Sequence, residues 1–325
     1  MGISHSLESK LRIPAIAAPL FLASGPDLVV ETCRAGMVGT FPALNQRSTE
    51  GFEGWLHDIE ERLAALPNAA PFGVNLIAHK TNTRLAQDLE MVVKHRVPVV
   101  ITSLGAVRDV VDAVHSYGGL VFHDIISRRH AEKAGEAGVD GLIAVCAGAG
   151  GHAGNLNPFA LIHEVKSVFS GTVILSGSLS TGRDIAAARM MGADLAYLGT
   201  RFLATKEALV EQAYQEMILK ARAADIIYTP NISGVNANFM RESITAAGLD
   251  PDNLPAHGKL DMGSEAKVWK TIWSAGQGVG AISEVLSVAD LCDQLADGYR
   301  KAMKSASQDP FCAPPSTLRI NAISA

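Results

Sequence analysis

The sequence contains no CxxC pair, no surplus of basic residues and no apolar run long enough for a membrane. Its four cysteines, Cys33, Cys146, Cys292 and Cys312, show no metal spacing, so they read as reduced thiols of a cytoplasmic protein rather than a disulfide framework or a zinc site. A net charge of −5 leaves no electrostatic footprint for nucleic acid or an anionic membrane. No apolar stretch reaches the roughly 18 residues of a membrane span. The start, "MGISHSLESKLRIP", lacks the basic and apolar regions of a signal peptide and matches only the loose myristoylation pattern. A GxxxxGK[ST] run and a strand followed by GxGxxG with a later acid are both missing, which argues against a P-loop and against an integral dinucleotide domain.

What is present is an alternation of short apolar segments with helical ones. Expected strands are 14–22, 37–44, 71–78, 98–104, 120–125, 141–147, 172–178 and 195–205, and most are followed by a helix ending near a glycine. Eight such units in about 200 residues predict a (β/α)8 TIM barrel, with a doubly wound parallel sheet as the alternative. After residue 205 the pattern changes. Segment 206–265 is helical in tendency but broken by Pro230, Gly234, Gly248, Pro251 and Pro255. We read it as a smaller helical cap or substrate subdomain on a barrel formed by 1–205 and 266–305, with 306–325 as a tail.

Catalytic groups of such barrels sit at the C-terminal strand ends. That rule collects Pro19, Leu20 and Phe21, Asn45 and Gln46, Asn75, Ser103, His123 and Asp124, Ser176 to Ser178, and Gly199 to Arg201. Strands seven and eight end in "LSGS" and "LGTR", which suit either a phosphate site beside a helix N-terminus or a pair of tight turns with an ordinary cap. The loop "CAGAGGHAGN", residues 146–155, frames His152 with four glycines and three alanines. His152 is open to three readings: a structural histidine, a metal ligand, or a general base at the barrel mouth. No second ligand stands at i+2 or i+4, so no metal is expected there. Asp124 is open to cofactor contact, orientation of a base, or capping of the helix from Ser127. Histidines 5, 57, 79, 95, 115, 130, 163 and 257 fall on helices or surface loops and read as solvated.

"PFGVNL", "AGAGGHAG", "LSGSLSTGRDIAAARMMGADLAYLGTRFLAT" and "WSAGQGVGAI" together resemble the nitronate monooxygenase family, formerly called 2-nitropropane dioxygenases, across roughly residues 12 to 290. The resemblance implies an FMN-binding (β/α)8 barrel with a helical substrate domain. It implies that Pro19, Leu20 and Phe21 pass the flavin, that Asn75 bonds its ring edge, and that Ala149, Gly150 and Gly151 lie against it. Ser176, Gly177, Ser178, Gly199 and Thr200 would hold the phosphate, Asp124 would stand near the cofactor, and His152 would be catalytic. Three departures stand out: Gly148 replaces an acid found in many relatives, Asp124 replaces a lysine found in some, and "AAPL" replaces the Q-(A/G)-(P/G)-M opening.

The implied reaction is oxidative denitrification of a nitronate or nitroalkane with O₂. A second reading keeps FMN for NAD(P)H-dependent reduction of a quinone or an enoyl thioester. A third is a flavin-free phosphate-ligand barrel, although no Schiff-base lysine stands at a strand end. The expected partners are a small-molecule substrate and O₂, with a homodimer as the assembly considered.

Overall fold

The computed structural model describes residues 2–105, 108–256 and 269–312. A short helix, α1 (His5–Glu8), precedes a closed ring of eight parallel strands. These are β1 (Ala15–Ala17), β2 (Val38–Pro42), β3 (Phe72–Ile77), β4 (Val99–Ser103), β5 (Leu120–Ile125), β6 (Gly141–Val145), β8 (Thr172–Ser176) and β9 (Leu195–Leu198). Ile16 pairs with Val38 on one side and Tyr197 on the other, which closes the ring. The outer layer begins with α2 (Pro26–Arg34), α3 (Thr49–Ala64), α4 (Leu85–Lys94), α5 (Arg108–His115), α6 (Arg128–Ala137), α7 (Pro158–Val168) and α8 (Gly182–Met190).

The strands are predominantly apolar because both faces are covered, and several of their polar residues, Asn75, Ser103, Asp124 and Ser176, fall toward the C-terminal ends. Ile16, Val38, Ile101, Phe122, Ile143 and Ile174 fill the barrel interior. Their neighbours Val100, Val121, Leu142, Val173 and Leu175 face outward and pack with the helices. Turn chemistry sets the helix ends: Ser127 accepts the His130 N–H at 3.3 Å to cap α6, and Gly138, at φ 90°, supplies the left-handed residue that ends it.

The eighth unit departs from expectation. Strand eight stops at Leu198, and 200–203 turn into a short helix, α9 (Thr200–Leu203). Arg201 is buried there, and its guanidinium donates to the Ala204 and Glu284 carbonyls at 3.2 and 3.4 Å. The helix that covers β9 arrives later as α12 (Val288–Ser307), which packs on α8 and α2. Everything between is an excursion within the last βα crossover.

That excursion carries α10 (Gln212–Lys220) and α11 (Arg241–Ala246) but is not only helical. Ile226–Thr229 (β10) and Ala237–Met240 (β11) form an antiparallel hairpin. Its β-branched and aromatic "IIYT" run, followed by Pro230 and Gly234 in the turn, carries the strand signal that the helical reading passed over. The proposed 265/266 boundary and the tail beyond Cys312 fall outside the described residues.

Candidate active site

A cavity of ≈ 1250 Å³ opens at the C-terminal ends of the strands. It exceeds the roughly 300–1,000 Å³ of a typical small-molecule pocket, leaving room for a cofactor and a substrate together. The strand-one loop contributes Pro19, Leu20 and Phe21, β3 contributes Asn75, and β5 contributes Asp124. Ala149, Gly150, Gly151 and His152 form another wall, and Ser176, Gly177, Ser178, Gly199 and Thr200 form a third.

Strand one ends at Ala17, earlier than the apolar run 14–22 indicates. The loop beyond it is held by Asn45, whose side chain accepts the Leu22 N–H at 2.8 Å and donates to the Leu20 and Ser24 carbonyls at 3.0 and 2.8 Å. Asn45 therefore shapes the wall without lining it. Gln46 also lies off the cavity, its carbonyl taken by Arg84.

A polar chain crosses the barrel floor. The Asn75 amide donates to Ser103 Oγ at 2.8 Å, and Ser103 Oγ donates to Asp124 Oδ2 at 2.5 Å. Asp124 Oδ1 is buried without a hydrogen bond. Burial pushes the Asp124 carboxyl up to about 6, opposed by the Ser103 hydrogen bond and the nearby His152 imidazole. Deep burial, and to a lesser extent the same carboxyl, raise the phenol of Tyr197, which lines the cavity. His123 has the outward parity of β5, and its Nδ1 lies 2.7 Å from Thr102 Oγ1. Burial pushes its imidazole down to about 4, and it reaches the cavity lining beside Asp124.

His152 is not on a loose loop. Gly151 and His152 form a two-residue strand, β7, paired antiparallel to β11 with His152 opposite Ala237. The ring stands edge-on to Trp269 at 5.6 Å and 89°. Segment 273–278 clamps the glycine loop from the other side. Ser274 Oγ accepts the Gly151 N–H at 2.6 Å and donates to the Asn238 carbonyl at 2.6 Å. The Asn238 amide donates to the Ala149 carbonyl at 2.7 Å, and Gln277 N–H donates to the Gly148 carbonyl at 2.8 Å. A Cβ on Gly150 would lie 2.9 Å from Gly276 N, and one on Gly276 2.7 Å from the Gly148 carbonyl oxygen. These glycines are small because two backbones meet there.

The third wall is built from loops rather than from a helix dipole. Gly177 and Ser178 both take positive φ, 135° and 58°. The Thr200 hydroxyl accepts the Gly276 N–H at 2.8 Å. The N-terminus of α8 is occupied by its own acid: Asp184 Oδ2 accepts from Ser180 and Thr181 N–H at 2.9 and 2.8 Å while Thr181 Oγ1 accepts from Asp184 N–H at 3.3 Å. An anion here would meet loop peptides and hydroxyls beside a helix N-terminus whose capping box already satisfies the Ser180, Thr181 and Asp184 N–H groups.

Sequence reading missed Tyr197, Tyr214, Trp269, Trp273 and Ser274, which all line the cavity. Tyr214 stacks on Trp273 at 4.8 Å and donates to the Ser274 carbonyl. The glycines of "AGQG" were the available signal for this wall, since closely spaced glycines mark close backbone approach.

Comparisons with known proteins agree with this architecture. The family model for nitronate monooxygenase matches residues 74–298. A nitronate monooxygenase of Paraburkholderia phytofirmans is 27% identical over 91% of this chain and 94% of that protein. The (3aS,4S,5R,7aS)-5-hydroxy-7a-methyl-1-oxo-octahydro-1H-indene-4-carboxyl-CoA dehydrogenase of Rhodococcus jostii is 26% identical over 72% of this chain. The chain spans 62% of that relative's length. Among solved structures, nitroalkane oxidase from Streptomyces ansochromogenes superposes with a TM-score of 0.78 at 22% identity, covering 93% of this chain and 99% of that one. FabK from Thermotoga maritima gives 0.77 at 22% identity, covering 92% and 96%. Among the described residues no helix is long and apolar enough to cross a membrane. With more than half of its length matched by the family model, the chain belongs to the nitronate monooxygenase family.

Proposed function

We propose that the chain is an FMN-dependent oxidoreductase that converts alkyl nitronates, and nitroalkanes after loss of the α-proton, to a carbonyl compound and nitrite with O₂. The observation that carries the reading is His152, held on β7 beside Gly150, where the Gly276 backbone leaves no room for a side chain, and close to the buried Asp124. Support for a flavin comes from the lining: Ala149 to Gly151 offer small residues to a flat ring, Asn75 lies on β3, and Ser176 to Ser178 with Gly199 and Thr200 line the part of the cavity that would take the phosphate. When bound, the flavin supplies electron transfer between nitronate and O₂.

The chain's own residues do the rest. His152 takes the α-proton of a neutral nitroalkane, a step that a preformed nitronate does not need. The Asp124 carboxylate stabilises the imidazolium that results, because an opposite charge nearby favours the protonated ring. Trp269, Trp273 and Leu20 keep water away from the reacting carbon.

The second reading, NAD(P)H-dependent reduction of a quinone or enoyl thioester, draws support from the carboxyl-CoA dehydrogenase relatives. Lys133 and Lys270 also line the cavity, where ammonium groups suit the phosphates of CoA. Anaerobic mixing separates the two. Flavin bleached by propionate 3-nitronate but not by NADH or NADPH supports the monooxygenase; bleaching by a nicotinamide cofactor supports the reductase. A colourless protein that takes up no FMN would end both.

A further inference from the structure

On the outer layer, away from the cavity, α3 and the end of α4 bring Glu53, His57 and His95 together so that one ligand atom from each lies within 4.8 Å of the others. We propose that these three residues bind a divalent transition ion of the zinc class between the two helices, with Glu60 as the outer partner of His95.

His95 carries the argument. Its side chain is only 4% exposed, so the solvated role expected from its helical position does not hold. Nδ1 lies 2.9 Å from Glu60 Oε2. A carboxylate there accepts a hydrogen bond from Nδ1–H, the tautomer that leaves Nε2 with its lone pair. Nε2 is buried and makes no hydrogen bond, yet it points at Glu53, 3.8 Å from Oε1. A buried imidazole nitrogen left without a partner costs about 1–3 kcal/mol, so a ligand is the economical explanation. Metal-bound histidines show this same arrangement, with the second ring nitrogen donating to a carboxylate.

The other two ligands complete the set. His57 and Glu53 stand one helical turn apart on α3, with Nε2 and Oε1 4.0 Å from each other. The His57 ring meets the His95 ring edge-on at 4.5 Å. Ligand atoms in a tetrahedral zinc site sit roughly 3.3 Å apart, given bonds of about 2.0–2.1 Å. Side-chain rotation of His57, 66% exposed, and of Glu53 closes the difference. Two imidazoles and one carboxylate select zinc-class ions over magnesium or calcium, and leave a position for water. Lys94 now contacts Glu53 Oε1 at 2.5 Å; its side chain is 58% exposed and can turn to solvent when the ion arrives.

The site would join α3 to α4 a second time. Near their N-termini the helices are already tied by Thr49 Oγ1 donating to Asp88 at 2.8 Å. None of Glu53, His57 or His95 lines the cavity, so failure of this proposal leaves the proposed reaction untouched.

The test uses tag-free full-length protein with its flavin, stripped by a chelator and dialysed against Zn²⁺. One equivalent of Zn²⁺ retained per chain is expected, with a melting temperature raised by a few degrees. His57→Gln and Glu53→Gln should weaken retention at least tenfold; His57, 66% exposed, is a position where the substitution leaves the packing intact. His95→Gln should abolish it. Retention well below one equivalent by the wild type, or equal retention by the wild type and His57→Gln, overturns the proposal.

Discussion

Gly148 and Ser178 face each other so closely that a Cβ on Gly148 would lie 2.3 Å from Ser178 Oγ. Gly148 also holds φ at 82°, a conformation that side chains with a Cβ resist. The acid that the family resemblance implies for this place would have to displace the Ser178 hydroxyl and the Gln277 amide and hold a left-handed backbone. Gly148→Glu should cost on the order of 1–3 kcal/mol in backbone strain alone and weaken FMN binding at least tenfold. Thermal melting and a flavin titration read both; unchanged affinity would show that the wall yields.

Replacing His152 tests the base. His152→Ala should lower turnover of neutral 2-nitropropane by roughly 10²–10⁴-fold and that of its preformed nitronate far less. Steady-state kinetics on the two substrates side by side give the ratio. Equal losses would remove the proton-transfer role.

Asp124 imposes a pH dependence on stability. The native carboxyl holds its proton up to about 6, whereas its ordinary value is 3.8. Between those values the native state binds more proton than the unfolded chain, so stability falls as pH rises through the window and levels off above it. The loss is on the order of 1–3 kcal/mol at most. Urea unfolding at pH 4 and pH 7 should show this difference in the wild type relative to Asp124→Asn, in which it disappears. Parallel pH profiles for the two proteins would refute the assignment.

The clamp on the glycine loop should matter for both folding and binding. Ser274→Ala leaves the Gly151 N–H and the Asn238 carbonyl without their partner, at a cost of about 1–3 kcal/mol. The variant should melt lower and release flavin more readily, measured by fluorescence of free FMN. A melting curve superimposable on the wild type would contradict the clamp.

Three thiols should be inert. Burial pushes Cys33, Cys146 and Cys292 up to about 12, which leaves almost no thiolate at neutral pH. Iodoacetamide treatment of native protein followed by peptide mass spectrometry should find them unmodified, and modified once urea is added.

Local pattern carried the barrel and much of its rim. Short apolar runs mark all eight strands, although the first and the last end earlier than their runs, because a strand buried on both faces has few polar positions to disguise it. Chain direction then puts Asn75, Asp124, Ser176 and Gly199 at one end. Gly150 and His152 were conspicuous because glycines cluster only where backbone approach or unusual φ requires them. Other features depend on partners distant in sequence. Nothing near His152 announces that it becomes a strand, since its pairing residue is Ala237. Ser274 reads as an ordinary serine until Gly151 and Asn238 come within 2.6 Å of it. His95 looks solvated at the end of a helix, and only the packing of α4 against α3 buries it between Glu53 and Glu60. The sequence by itself determined the repeating units and the rim they share, because strand and turn preferences act over a few residues. Tertiary structure decided what each rim residue touches, because hydrogen bonds and desolvation depend on groups that the chain brings together only when folded.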